Sequence, residues 1–567
     1  MKRLNIFAAA VLMLAGTLLN AQDNLVWHNP LCEGGEVHGQ GWSELRNTYV
    51  RLPEKAKELV RPAVWSLSRQ SAGLSIVFRT DADTIKVRYQ TTKKNYAMFH
   101  MPSTGVSGVD LYASDRNGMK YRLYPEFTPS FQDTISYNFY ELDPPTGKRT
   151  KGICEYRVVL PMYNTVDWME IGVADGKKIE FMKETKEKPV VVYGTSIAHG
   201  ACPSHPGMAW TNILARETDR PFVNLGFSGN AFLEPEIFRL MSEIDAVAYI
   251  IDCLPNMKPG DPIKEKALAG VKILRESHDC PILMVEHCTD HPDRNEPFRE
   301  AYEELKSLGG IYYLTTAELG ITRDEFVEGI HPTDAGMRKY ADAYEKKLAE
   351  MLPEFSFVTS PRRQNRDPYN WQERHDAILA YNAEVKPKNV LIGDSITHFW
   401  GGNPKYWDWG ADSWEELWKG TSVVNMGYGW DRIENGLWRI NHGELDGFEA
   451  ENVILLLGTN NLDYNTQEEI VEGINTLVAA VRFHQPKAQI YVCGVLPRTK
   501  READVAKLNK KLKASLKGGD AKFIDMSDMM CDKKGLIVPE YFKGDGLHPN
   551  AAGYRQFAAM IARGLGR

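Results

Sequence analysis

The chain has 567 residues, 43% of them hydrophobic and 25% charged, with a formal net charge of −7. That length exceeds a single hydrophobic core, so several domains are expected, and the composition excludes a disordered or fibrous protein. An acidic balance with no long basic run makes nucleic acid an unexpected partner. The eight cysteines form no CxxC or Cys/His cluster with zinc spacing, so no metal, no other cofactor and no disulfide framework is expected.

The N-terminus carries Lys2 and Arg3, then an apolar run from Ile6 to Leu19, then Leu19-Asn20-Ala21. This is the pattern of a secretory signal over residues 1–22, and the run is shorter than the roughly 20 apolar residues of a spanning helix. A chain exported across the inner membrane to the periplasm or beyond, with no membrane span, is expected.

Residues 23–186 read as a β-sandwich. Leu74–Phe78, Thr84–Tyr89, Tyr156–Leu160 and Trp168–Val173 alternate apolar with polar, with no helix-period segment of comparable strength between them. Residues 187–352 change pattern: Pro189–Tyr193 is continuously apolar, as in a strand buried on both faces of a parallel sheet. Apolar runs at Ala246–Ile251 and Ile282–Val285 alternate with helix-like stretches at Pro262–Arg275, Glu296–Leu308 and Ala335–Met351. That alternation predicts a doubly wound α/β unit with a parallel sheet. Residues 353–368 read as a linker, with Pro353 and Pro361 as breakers. The pattern restarts over 369–567 with a helix at Tyr369–Ala383, a strand at Asn389–Ile392 and another at Val453–Leu457. A whole α/β unit is therefore repeated.

Each unit places a serine on a tight turn after its first buried strand, Ser196 in Gly194-Thr195-Ser196-Ile197 and Ser395 in Gly393-Asp394-Ser395-Ile396. Such a turn exposes a hydroxyl beside a backbone N–H, which suits a nucleophile, although one such string alone more often marks a helix cap. Near the end of each unit an acid precedes a histidine by three residues: Glu328 and His331 in the first, Asp545 and His548 in the second. One short loop can then deliver both the base and the group that orients it. Donors for a tetrahedral oxyanion are offered by Asn224–Asn230 and Asn256 in the first unit, and by Asn425–Asp431 and Asn460 in the second.

The order Ser, Gly, Asn, acid-x-x-His, each after a strand, resembles the SGNH (GDSL-like) hydrolase superfamily. The resemblance implies two α/β/α domains after an all-β sandwich. It assigns Ser196 and Ser395 as nucleophiles, His331 and His548 as bases, and Glu328 and Asp545 as acidic partners. Gly229, Asn256, Trp430 and Asn460 become the oxyanion residues. The first unit departs from the family in having Glu for Asp, and the second in having Trp430 where the family has glycine. The second unit looks similar to platelet-activating-factor acetylhydrolase subunits. Tandem SGNH chains with a sandwich also resemble carbohydrate O-acetylesterases of the sialate O-acetylesterase type.

The implied function is a secreted serine esterase that removes O-acetyl groups from glycans, with O-acetylated sialic acid ahead of acetyl-xylan or another hemicellulose. Two other readings stand beside it: a lipid or thioester hydrolase, and a glycan-binding protein with an inactive SGNH unit. The cluster Trp400, Trp407, Trp409, Trp414 and Trp418 reads either as core or as a stacking wall beside Ser395.

Overall fold

The computed structural model describes residues 24–114, 120–125, 129–140, 154–352, 369, 371–519 and 521–567. The expected signal, 1–22, and linker, 353–368, lie outside the described residues. Among the described residues no helix is long and apolar enough to cross a membrane.

The N-terminal region folds as two antiparallel sheets. One carries the strands Leu25–His28, Val166–Ala174, Ile85–Thr91 and Ile135–Phe139, in that order across the sheet. The other runs Ile179–Phe181, Ser75–Thr80, Cys154–Val159, Asp110–Ser114 and Lys120–Leu123, with Val37–His38 paired to Ser75–Thr80. Alternation in Ile85–Thr91 buries every second residue, and Val87 and Tyr89 meet Ile76, Leu111, Val158 and Ile171 in the shared core.

The stretch from Trp42 to Ser68 departs from the all-β reading. It forms the 3-10 turns Ser43–Leu45 and Glu54–Glu58 and the helix Pro62–Ser68. Its apolar side chains Trp42, Leu45, Leu52, Ala56, Val60 and Val64 join the core of the first α/β unit beside Val191, Leu225 and Phe238. The physical reason is spacing. Leu52, Ala56, Val60 and Val64 recur every four residues, a helical interval that suits this packing, with no strand-like alternation between them.

Each α/β unit is a five-stranded parallel sheet. In the first the order is Phe222–Gly226, Val190–Gly194, Ala248–Asp252, Ile282–Val285, Ile311–Leu314. In the second it is Val423–Gly427, Asn389–Gly393, Asn452–Leu456, Gln489–Cys493, Ala521–Ile524. The register is also shared: Gly194 lies opposite Gly226, and Gly393 opposite Gly427. In both units the first strand sits between the second and the third, so the chain winds away from it in opposite directions. That arrangement opens a crevice at its carboxyl end. The continuous apolar runs are buried because both faces are covered: Val191 and Tyr193 belong to one core cluster, Val190 and Val192 to the other. Each such buried valine contributes about 1.5 to 3 kcal/mol.

Candidate active site

The carboxyl ends of the two central strands carry the two serines. Val190–Gly194 leads into a one-turn helix Ser196–His199 capped by Thr195, and Asn389–Gly393 leads into Ser395–His398 capped by Asp394. Glycine is required just opposite. A Cβ on Gly226 would fall 2.3 Å from the backbone nitrogen of His199, and one on Gly427 would fall 2.2 Å from that of His398. The serine turn therefore packs directly on the neighbouring strand end. Asn224 and Asn425 fasten the same junction. The Asn224 amide donates to the Ala198 carbonyl at 2.7 Å and the Asn425 amide to the Thr397 carbonyl at 2.7 Å.

Ser196 and His331 lie 135 residues apart in sequence, yet the Ser196 hydroxyl donates to His331 Nε2 at 2.8 Å, and His331 Nδ1 bonds the Glu328 carboxylate. In the second unit the separation is 153 residues, and the Ser395 hydroxyl donates to His548 Nε2 at 2.8 Å while His548 Nδ1 donates to Asp545 at 2.7 Å. All six residues named from sequence thus meet as two Ser–His–acid chains. The acids are held differently. Asp545 also accepts from the backbone N–H groups of Leu547 at 2.9 Å and His548 at 3.0 Å. Among the described residues no backbone N–H binds Glu328 in this way. Burial pushes the Asp545 carboxyl up, but the bonds from His548 and the two amides outweigh it and hold the group below its ordinary value.

The oxyanion residues occupy matching loops. Gly229 and Trp430 both take left-handed backbone, at φ 66° and 65°, and the following amides, of Asn230 and Asp431, close onto the Phe227 and Tyr428 carbonyls. Trp430 is 41% exposed. The two asparagines reach these loops with opposite ends of their amides: Asn256 accepts from the Ala231 N–H at 3.1 Å, and Asn460 donates to the Asp431 carbonyl at 2.8 Å.

The tryptophan cluster divides. Trp400, Trp414 and Trp418 are core, whereas Trp409 and Phe399 flank the His548 ring at 5.9 and 5.6 Å between centroids. Trp407 stacks on Trp409 at 5.3 Å and is 40% exposed. In the first unit the ring beside His331 is His100, at 5.4 Å, contributed by the sandwich region.

Several positioning groups escaped the sequence reading. Arg51 donates to the Asn224 and Gly226 carbonyls at 3.0 and 2.8 Å. Arg374 does the same in the second unit, to Gly427 at 2.7 Å and Asn425 at 2.9 Å. These two buried guanidiniums come from unrelated chain segments, which hid their common role. His199 and His398 each lie three residues after the serine, a signal present in both repeats. Burial pushes both below the ordinary imidazole range, and neutral His398 accepts the Gly429 N–H at 3.1 Å, next to Trp430. Gly108-Val109-Asp110-Leu111-Tyr112 is a further string whose role only the fold shows. Asp110 accepts from Arg122 at 2.9 Å and from the Gly207 N–H at 2.7 Å, tying the sandwich to the loop after the first serine helix.

A doubly wound sheet with a serine after its first strand and an acid-x-x-His loop near its end defines an SGNH-type hydrolase unit, here present twice. Residues 187–349 and 391–556 each match the GDSL-like Lipase/Acylhydrolase family. Residues 25–179 match the family described as the N-terminus of SGNH-hydrolase-type esterases, named GxDLY, a pattern that Gly108 to Tyr112 carries. The chain belongs to the GDSL-like (SGNH) hydrolase family, which makes it an ester hydrolase by class. It is 30% identical over 197 residues to platelet-activating factor acetylhydrolase IB subunit alpha2 of Rattus norvegicus and of Homo sapiens. Each match covers 34% of this chain and 81% of the relative. A protein described as a GDSL-like lipase from Bacteroides ovatus has a similar solved structure, with TM-score 0.51 and 28% identity over 58% of this chain and 98% of that one.

Proposed function

We propose that both units are serine O-acetylesterase centres acting on glycans, with O-acetylated sialic acid as the preferred substrate class. The observation that carries this reading is the pair of complete chains, with each serine hydroxyl 2.8 Å from its histidine. Ser196 or Ser395 Oγ attacks the acetyl carbonyl as its proton passes to His331 or His548 Nε2. The carboxylate of Glu328 or Asp545 holds the Nδ1–H and steadies the imidazolium. The oxyanion is met by the backbone N–H groups of Gly229 or Trp430 and the side chains of Asn256 or Asn460, and each such donor lowers the barrier by about 3 to 4 kcal/mol. The histidine returns its proton to the departing sugar oxygen, leaving an acetyl-serine. Water, deprotonated by the same histidine, then releases acetate.

A sugar substrate is supported by the ring of Trp409 next to His548 and by the exposed ring of Trp407 stacked on it. The C–H face of a pyranose stacks on such a wall while its acetyl group points at the serine. The secretory pattern of residues 1–22 supports a substrate met outside the cytoplasm.

The test is acetate release from O-acetylated sialic acids, xylan, mannan and pectin, run beside p-nitrophenyl esters of rising chain length. Sialate acetate should be released fastest. Fastest release from xylan moves the substrate to hemicellulose, a preference for octanoyl or longer esters supports a lipid hydrolase, and no turnover supports a binding protein.

A further inference from the structure

The first triad shares one of its members with a second cluster. His100, Cys202 and His331 each present a potential ligand atom, and the three atoms lie within 4.8 Å of one another. Two imidazoles and a thiol are donors that suit zinc and its neighbours among the divalent transition metals. Zinc bonds of about 2.0 to 2.3 Å put tetrahedral donors roughly 3.3 to 3.8 Å apart, so the side chains would close by about 1 Å on binding and leave a fourth position for water.

Two independent features point to a ligand here. The Nδ1 of His100 is buried and has no hydrogen-bond partner among the described residues, an arrangement that costs free energy unless something pairs with it. Cys202 adopts φ 76°, a left-handed backbone that costs a non-glycine residue roughly 1 to 2 kcal/mol and that is stored where a side chain must be aimed. The strain is held in place by the residues after it. Ser204 donates its N–H to Asp334 at 2.7 Å, and the Gly207 N–H is bound by Asp110.

We propose that His100, Cys202 and His331 form a binding site for one zinc-class cation, and that occupancy shuts down the first active site while the second continues. A neutral imidazole has a single lone pair. Coordination of His331 through either nitrogen consumes that lone pair, so the ring can no longer accept the Ser196 proton. Binding also releases the Cys202 thiol proton to solvent, leaving a thiolate on the metal. The second unit has Phe399 and Trp409 beside His548, and neither ring is a ligand, so among the described residues it has no matching cluster.

The shutdown rests on His331 being the base, whereas the binding does not. The test uses the full chain stripped with a chelator, zinc chloride with calorimetry and elemental analysis, and Co2+ as a spectroscopic probe. Wild type should retain one more zinc per chain than Cys202→Ser or His100→Gln, and should show a thiolate-to-cobalt absorption band that Cys202→Ser lacks. Zinc should inhibit p-nitrophenyl acetate hydrolysis by the Ser395→Ala chain, with the inhibition weakened at least about 10-fold by His100→Gln, and should spare the Ser196→Ala chain. Equal zinc stoichiometry and affinity in wild type and both variants would overturn the site. Normal binding with no inhibition of the Ser395→Ala chain would overturn the switch. Should neither single-serine chain hydrolyse any ester, the esterase reading fails, while the stoichiometry still decides the site. His100→Gln, a loop substitution, keeps the test open if Cys202→Ser does not fold.

Discussion

Replacing Asp545 by Asn, in a chain whose Ser196 is already Ala, sets two demands against each other. One carboxylate oxygen accepts two backbone N–H groups at 2.9 and 3.0 Å, and the other accepts His548 Nδ1–H at 2.7 Å. An amide offers only one acceptor oxygen. If that oxygen stays with the two backbone donors, the NH2 faces His548 and forces the tautomer whose Nε2 carries hydrogen, which cannot take the Ser395 proton. If the oxygen turns to His548, the NH2 meets two backbone donors. Two bonds outweigh one, so the wrong tautomer wins, and kcat/KM should fall about 1,000- to 10,000-fold, or roughly 4 to 5.5 kcal/mol. Glu328 faces no such conflict, because its hydrogen bond among the described residues is to His331. In the Glu328→Gln variant the new amide can turn its oxygen to the ring and lose only the charge. Made in the Ser395→Ala chain, this substitution should cost about 10- to 100-fold, or roughly 1.4 to 2.7 kcal/mol. Steady-state hydrolysis of p-nitrophenyl acetate by the four chains measures both losses without background from the other unit. An equal or larger loss for Glu328→Gln would refute the reasoning.

Trp430→Gly should let the second unit accept butyryl as well as acetyl esters, moving its chain-length profile toward that of the first unit. Relief of the left-handed backbone and the added freedom of glycine roughly cancel, so stability should shift by less than about 1 kcal/mol; unchanged ester profiles would remove Trp430 from the acyl pocket. Burial pushes the Asp394 carboxyl up to about 7, so the folded chain holds this proton where the unfolded one has lost it, and stability falls as pH rises from about 4 to 7. Asp394→Asn keeps an acceptor for the Ile396 N–H without a charge and should be more stable than wild type by an amount growing between pH 5 and 8, up to roughly 4 kcal/mol; melting curves that stay parallel across that range would contradict this. Trp409→Ala in the Ser196→Ala chain should raise KM for an acetylated sugar about 3- to 10-fold while leaving ethyl acetate unchanged, and equal effects on both would speak against sugar stacking.

The parts of the site that sequence made visible are those built from short strings at strand ends. Ser196, Ser395 and the two acid-x-x-His loops are compact strings, the serines directly after recognisable apolar runs, and repetition separated them from ordinary turns. Alternation and continuous apolar runs likewise exposed the sandwich and the two parallel sheets, because the pleat has a period of two and a doubly covered strand has none. What stayed hidden depends on distant segments meeting. Arg51 serves a strand end 173 residues away, and nothing near it in sequence marks that partner. His100 reaches His331 from another region of the chain. The tryptophans near Ser395 could not be sorted by spacing, since Trp400 and Trp409 differ only in whether they meet the core or the His548 ring once folded. The sequence reading assigns the segment from Leu52 to Val64 to the sandwich, although its four-residue recurrence is a helical interval and its apolar side chains pack on the first α/β unit.

The central claim is that two serines, in two independent sites, perform one hydrolysis. It is tested most directly by acetate release from O-acetylated sialic acid by wild type, Ser196→Ala, Ser395→Ala and the double variant, all at equal concentration and verified as folded. Each single variant should keep part of the activity, and the double variant should fall at least about 1,000-fold. A double variant that releases acetate at the wild-type rate would contradict the account.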